Sequence, residues 1–276
     1  MESKRLGNTV ELIPEIGVGV WRYRGGDEPL RAAIEHGAVF IDTAEVYGTE
    51  EAVGQAIRGI RDRVFLASKV SGQHLRHDDV IKAAEASLQR LNTDRIDLYQ
   101  IHWPTSVAPI QETMAAMETL VDRGLVRHIG VSNFSVAHMR TALNAMTKYP
   151  IVANQVLYSL HRREIEAELI PYCEANNVTI IAYTPLDNGN LARGSEYPTN
   201  PKGMAALRLI ANRRGKTLGQ VALNWCTAHN GVVAIPKSDK VERVIENCGA
   251  SGWRLSSDEM RALNDAFTRE PDEDWD

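Results

Sequence analysis

Phe40-Ile41-Asp42-Thr43-Ala44-Glu45-Val46-Tyr47-Gly48 closes a short apolar run with a carboxylate and delivers a phenol five residues later. Ala38 to Ile41 reads as a buried strand, so Asp42 falls at its C-terminal end, and Tyr47 falls in the loop before a helical pattern that starts near Thr49. Where parallel strands close into a barrel, that end of the sheet carries the chemistry. Taken alone, such a stretch is more often structural: an Asp after a strand caps turns and helices, and a loop tyrosine covers the core. The neighbouring segments decide between the two.

Working outward, the same strand-then-helix unit recurs. Toward the N-terminus, Ile16 to Val20 is a small-residue strand ending at Trp21, followed by an amphipathic helix from Asp27 to His36 and a stop at Gly37. Lys4 to Ile13 carries two strand-like pieces around Gly7-Asn8, which predicts a hairpin ahead of the main fold. Downstream, strands are expected at Val64 to Ala67, Ile96 to Ile101, Val126 to Val131, Ile151 to Asn154, Val178 to Ala182 and Val232 to Ile235. The intervening helices are expected near Glu50 to Arg58, Asp78 to Leu91, Ile110 to Arg123, Ser135 to Met146, Glu164 to Asn176, Gly203 to Arg213 and Leu218 to His229. Two more, Val241 to Asn247 and Ser257 to Phe267, finish the pattern, and the tail after Glu270 is expected to fray.

Eight strands alternating with helices, uninterrupted by a Pro/Gly/Ser linker, predict an α/β fold: one (β/α)8 TIM barrel over residues 1–276 with an N-terminal hairpin and two extra helices. The length of 276 residues and a 43% hydrophobic, 24% charged composition suit one such barrel. Thirty-one basic against 36 acidic residues give a net charge of −5 without a basic run, which argues against nucleic acid. No apolar stretch is long enough to span a bilayer, and the start lacks a signal-like apolar segment. Cys173, Cys226 and Cys248 lie far apart without metal-knuckle spacing, so a reducing, cytoplasmic setting is expected.

Polar residues collect at the strand ends. Asp42 ends the second strand, Ser68-Lys69 the third, and Gln100-Ile101-His102-Trp103-Pro104 the fourth. Ser132-Asn133, Asn154-Gln155, Tyr183-Thr184-Pro185-Leu186 and Pro236-Lys237-Ser238 end the fifth to eighth. A lysine there needs a counterion, and Asp42 on the adjacent strand supplies one. An ammonium beside Tyr47 lowers the pKa of a phenol from near 10, which makes the phenol a usable acid. His102 then holds the substrate oxygen or relays its proton.

With these motifs in place, and with Ile16-Gly-Val-Gly-Val-Trp21, Ile129-Gly-Val-Ser-Asn-Phe134 and Ile235-Pro-Lys-Ser238, the chain resembles an aldo-keto reductase along nearly its whole length. It looks similar to short-loop bacterial or archaeal members of the 2,5-diketo-D-gluconate reductase type. The resemblance implies carbonyl reduction by hydride transfer, with Asp42, Tyr47, Lys69 and His102 as the catalytic tetrad, and no metal. It implies that Ser132, Asn133 and Gln155 meet the nicotinamide carboxamide and that Tyr183 stacks on the ring. Thr184, Leu186 and Ile235 would line the dinucleotide, Lys237, Ser238 and Arg243 would clamp a 2′-phosphate, and Glu246 and Asn247 would meet the adenine. Two cations and a hydroxyl favour NADPH over NADH.

Asp239 departs from the family pattern by placing a carboxylate at the clamp; the adjacent Lys240 is a candidate to neutralise it, and dual cofactor use stays open. Trp21 and Trp103 are expected to wall a substrate pocket for small carbonyl compounds or else to pack at the barrel mouth. Asp187 to Pro198 is a candidate lid. The chain is expected to act as a monomer. The alternatives are a sugar or polyol dehydrogenase working in oxidation, and a non-catalytic barrel such as a channel β subunit, which the intact tetrad disfavours. A metal-dependent hydrolase would need a strand-borne His-x-His, which the chain lacks.

Overall fold

The computed structural model describes residues 1–193 and 200–268. Among these, ten strands form two sheets. Strands β1 (Ser3–Arg5) and β2 (Leu12–Pro14) make an antiparallel hairpin. The other eight run parallel in sequence order: β3 (Val18–Gly19), β4 (Phe40–Asp42), β5 (Phe65–Val70), β6 (Ile96–Ile101), β7 (Val126–Ser132), β8 (Ile151–Leu157), β9 (Thr179–Tyr183) and β10 (Val232–Ala234). The ring closes through Ile16, which bridges in parallel to Ala234, with Gly17 N–H donating to the Ala234 carbonyl at 2.8 Å and Ala234 N–H to Glu15 at 2.9 Å. Closure removes both sheet edges.

The helices around the barrel are α1 (Asp27–Glu35), α2 (Glu50–Ala56), α3 (His77–Leu91), α4 (Ile110–Asp122), α5 (Val136–Ala145) and α6 (Leu169–Ala175). They continue with α7 (Asn190–Arg193), α8 (Pro201–Arg214), α9 (Leu218–Cys226), α10 (Val241–Cys248) and α11 (Ser257–Ala266). Thr217 with Gln220, and Ser256 with Glu259, form capping boxes that start α9 and α11. Gly54 lets α2 cross the end of α3 backbone to backbone, because a Cβ there would collide with the Leu91 carbonyl oxygen.

The core has two compartments. One lies between the sheet and the helices. The other fills the barrel interior: Phe40, Phe65, Ala67, Leu98, Ala153 and Val233 point inward. Leu6 and Ile13 of the hairpin join them with no exposed surface, so the hairpin expected ahead of the main fold plugs the N-terminal end. Among the described residues, the interior therefore opens at the C-terminal ends of the strands.

The structure revises several expected boundaries. Strands β5 and β8 extend to Val70 and Leu157, so Lys69 and Gln155 belong to the ladder and inherit its alternation. The expected helix from Glu164 to Asn176 is instead a single 3-10 turn (Glu164–Glu166) followed by α6. Pro171 explains the break, since its ring would collide with the Ala167 carbonyl in a continuous helix but is tolerated in a first turn. The candidate lid is a 3-10 turn at Asp187–Gly189 running into α7, ordered structure rather than an irregular stretch as far as Arg193. Its remaining residues, 194–198, and the tail after Glu270 lie outside the described residues.

Candidate active site

Inward-facing rows turn from apolar to polar as they reach the mouth. Along β4, Phe40 gives way to Asp42; along β5, Phe65 and Ala67 give way to Lys69; along β6, Leu98 gives way to Gln100 and then His102. On β8 and β9 the steps are Ala153 to Gln155 and Ile181 to Tyr183. Each of these polar residues sits two positions beyond another inward-facing one, as strand alternation requires, and in every case but His102 that predecessor is apolar.

At the base, Lys69 Nζ donates to Asp42 Oδ1 at 2.5 Å, to the Thr43 carbonyl at 2.9 Å and to Tyr47 OH at 3.4 Å, using all three ammonium protons. Both charged groups are buried. The second Asp42 oxygen accepts Gln155 Nε2 at 2.7 Å and Gln100 Nε2 at 3.2 Å. Burial by itself would lower the Lys69 pKa, but the Asp42 carboxylate, with charge and hydrogen-bond contributions from Tyr47, outweighs it and the ammonium is held above its ordinary value. Lys69 is therefore a permanent cation beneath the phenol.

Tyr47 ends a 3-10 turn, Glu45–Tyr47, which Gly48 closes at φ 66°. Glu45 pins that turn to the next loop: its carboxylate accepts the Ser71 N–H at 2.7 Å and lies 2.6 Å from His74 Nδ1. The Tyr47 hydroxyl is 3.4 Å from His102 Nε2, with the two rings edge to face at 5.3 Å. Burial raises the Tyr47 pKa more than the Lys69 ammonium lowers it, so the net shift is upward. This corrects the expectation of a net lowering, because desolvation of a mostly buried phenol is the larger effect. His102 is lowered to about 4, by burial and then by Lys69. It is a neutral imidazole at physiological pH.

The remaining residues flank this centre. Asn133 sits at φ 63° and donates to the His102 carbonyl and to Ser132 Oγ, both at 3.0 Å, while Tyr183 OH donates to Asn133 Oδ1 at 3.0 Å. Ser132 Oγ donates to the Gln155 carbonyl at 2.9 Å. Thr184 turns the chain at φ 52°, Leu186 is half-buried, and Ile235 is buried with its N–H on the Ala182 carbonyl at 3.1 Å. Trp21 and Trp103 are 49% and 50% exposed, which places them at the mouth instead of in the core. Trp103 stacks on His102 with centroids 6.4 Å apart.

Beyond β10, Lys237 Nζ pairs with Asp239, and Ser238 Oγ accepts the Lys240 N–H at 3.2 Å. Arg243 pairs with Glu246 at 2.6 Å, and the Asn247 side chain is largely buried beside them. Arg243 and Glu246 line a cleft of about 390 Å³ with Ala192, Arg208, Lys216 and Leu218. The sequence reading missed three contributors: Gln100, the Glu45/His74 brace and the Arg208/Lys216 wall. Only Gln100 carried a signal, its position on the same inward row as His102. Among the described residues, no group of three or more His, Cys, Asp or Glu is placed to hold a metal ion, and no helix is long and apolar enough to cross a membrane.

A buried ammonium beneath a phenol, with a neutral imidazole beside it at the open end of a parallel barrel, is equipment for moving one proton to or from a bound oxygen. Comparison with known proteins agrees in kind. The Aldo/keto reductase family profile matches residues 15–267. Methylglyoxal reductase YeaE of Escherichia coli (strain K12) is 39% identical over 266 residues, covering 92% of this chain and 91% of that protein. Glyoxal reductase of Bacillus subtilis (strain 168) is 37% identical over 269 residues, covering 95% and 92%. The crystal structure of an aldo/keto reductase from Klebsiella pneumoniae in complex with NADP and acetate superposes with a TM-score of 0.85 at 38% identity, covering 99% of this chain and 97% of that one. The chain belongs to the aldo/keto reductase family, and it is an oxidoreductase acting on carbonyl groups.

Proposed function

We propose that this enzyme reduces small aldehydes and 1,2-dicarbonyls of the methylglyoxal and glyoxal type with NADPH, and that Tyr47 is the acid. The observation that carries the reading is the position of the Tyr47 hydroxyl, 3.4 Å from both the buried Lys69 ammonium and His102 Nε2. The two relatives named for those dicarbonyls support the substrate class. The amides and hydroxyl of Ser132, Asn133 and Gln155 suit a carboxamide, the Tyr183 face suits a flat ring, and Lys237, Ser238 and Arg243 suit a phosphate. Bound NADPH supplies the hydride to the carbonyl carbon. Tyr47 gives its proton to the carbonyl oxygen, and Lys69 stabilises the phenolate that remains. Asp42, itself held by Gln100 and Gln155, keeps Lys69 charged and aimed. Neutral His102 holds the substrate oxygen by a hydrogen bond, and Trp21 and Trp103 wall the entrance. The chain works as a monomer in the cytoplasm, where its three buried cysteines stay thiols.

NADPH consumption measured with methylglyoxal, glyoxal and simple aldehydes tests this proposal. Turnover is expected, and binding of NADPH without turnover of any carbonyl would refute it. The pH profile tells the two acids apart. With the Tyr47 pKa raised and His102 at about 4, neither group titrates between about pH 5 and pH 8, so kcat for reduction should be flat there. A rate climbing as pH falls through about 6.5 would hand the proton to His102. Alcohol oxidation needs the phenolate, so it should rise steadily with pH over the same range.

A further inference from the structure

Tyr47 is carried on a strap, residues 43–50, that two carboxylates fasten to β5 on either side of Lys69. Beyond Tyr47, Glu50 is buried and accepts Ser68 Oγ at 2.5 Å, one residue before Lys69. Arg90 of α3 donates to its other oxygen at 2.7 Å. Ahead of Tyr47, Glu45 Oε2 accepts the Ser71 N–H at 2.7 Å, two residues after Lys69, and Oε1 lies 2.6 Å from His74 Nδ1. The Thr43 and Thr49 hydroxyls meet at 2.9 Å and close the strap at its base.

The two fasteners do different work. Glu50 is a buried carboxylate matched to a cation, and removing its charge would break a buried pair and damage the fold. Glu45 gives its charge to a backbone amide and a half-exposed imidazole, so the barrel does not depend on it. The local geometry suits a lateral tie. Residues two apart leave a 3-10 turn in different directions, so Glu45 reaches the loop after β5 while Tyr47 reaches the Lys69 ammonium. The Tyr47 N–H bonds inside its own turn, to the Ala44 carbonyl at 3.0 Å, and so does not hold the turn against β5. Lys69 is fixed independently, by Asp42 and the Thr43 carbonyl.

We infer that Glu45 is a positioning residue for the proton transfer: by tying the Tyr47 turn to the segment that follows Lys69, it sets the 3.4 Å separation between the phenol and the ammonium. The inference rests on the reading of Tyr47 as the acid. Glu45 acts by reach and not by charge, because its oxygens end on Ser71 and His74 and the reacting hydroxyl is held by other groups.

Reach and charge are separable by substitution in the full chain. Glu45→Gln keeps the side-chain length and an oxygen for the Ser71 N–H but loses the charge; Glu45→Asp keeps the charge and falls one methylene short. The measurements are single-turnover hydride transfer from NADPH to glyoxal, and the Kd for NADPH by fluorescence titration. Glu45→Asp is expected to slow transfer about tenfold, as a small misplacement of a reacting group does, with Kd within about twofold. Glu45→Gln should stay within about threefold of the parent. In a Tyr47→Phe background Glu45→Asp should cost no more than about twofold, because the hydroxyl through which it acts is gone. Three results overturn the inference: Glu45→Asp within about twofold of the parent, Glu45→Gln as slow as Glu45→Asp, or the same slowing with and without the Tyr47 hydroxyl. Tyr47→Phe turning over within about tenfold of the parent is a separate result, and it removes the reading of Tyr47 as the acid.

Discussion

Tyr47→Phe is expected to lower kcat for carbonyl reduction by about 10² to 10⁴-fold, the usual contribution of a positioned acid, while the Kd for NADPH stays within about twofold. The substitution deletes one oxygen and keeps the ring. Edge-to-face packing on His102 and the Lys69 ammonium 4.8 Å from the ring centroid both survive it. The pocket therefore keeps its shape and loses the proton donor. Pre-steady-state hydride transfer with NADPH and its 4-deuterated form separates chemistry from product release. Turnover by the variant within about tenfold of the parent would show that another group, with water or His102 first in line, supplies the proton.

This expectation depends on burial, which the sequence shows only in part. The strand-helix alternation, the plugging hairpin and the polar residues closing each strand were readable because parallel strands covered on both faces are continuous apolar runs. Strand parity was readable too: Leu98, Gln100 and His102 share one face, and Phe65, Ala67 and Lys69 another. Applied consistently, it would have placed Gln100 beside Asp42. The break before α6 was also legible, in Pro171.

What escaped were the distances between segments remote in sequence. Gln155 donates to Asp42 across 113 residues, and Arg24 reaches Asp239 across 215. Neither pairing has a local signature. The sign of the Tyr47 shift escaped for a related reason. A sequence identifies a nearby ammonium, which lowers a phenol, but it does not measure how far the phenol is removed from water, which raises it. The same limit hid the neutrality of His102.

Lys69→Met should damage both stability and catalysis, and the two effects can be separated. The methionine fills most of the lysine volume but leaves Asp42 as a buried carboxylate with only the Gln100 and Gln155 amides to satisfy it. Breaking a buried pair by removing one partner costs about 3–5 kcal/mol, because the remaining charge is uncompensated. Chemical unfolding should show that loss as a lower denaturant midpoint. Adding Asp42→Asn removes the orphaned charge, so the double variant should recover most of the stability. Its activity should not return, because no cation remains to stabilise the Tyr47 phenolate. Recovery of both properties together would mean that the Asp42–Lys69 pair serves the fold alone; if neither returns, the lost packing around Lys69, and not the unpaired charge, is the dominant defect.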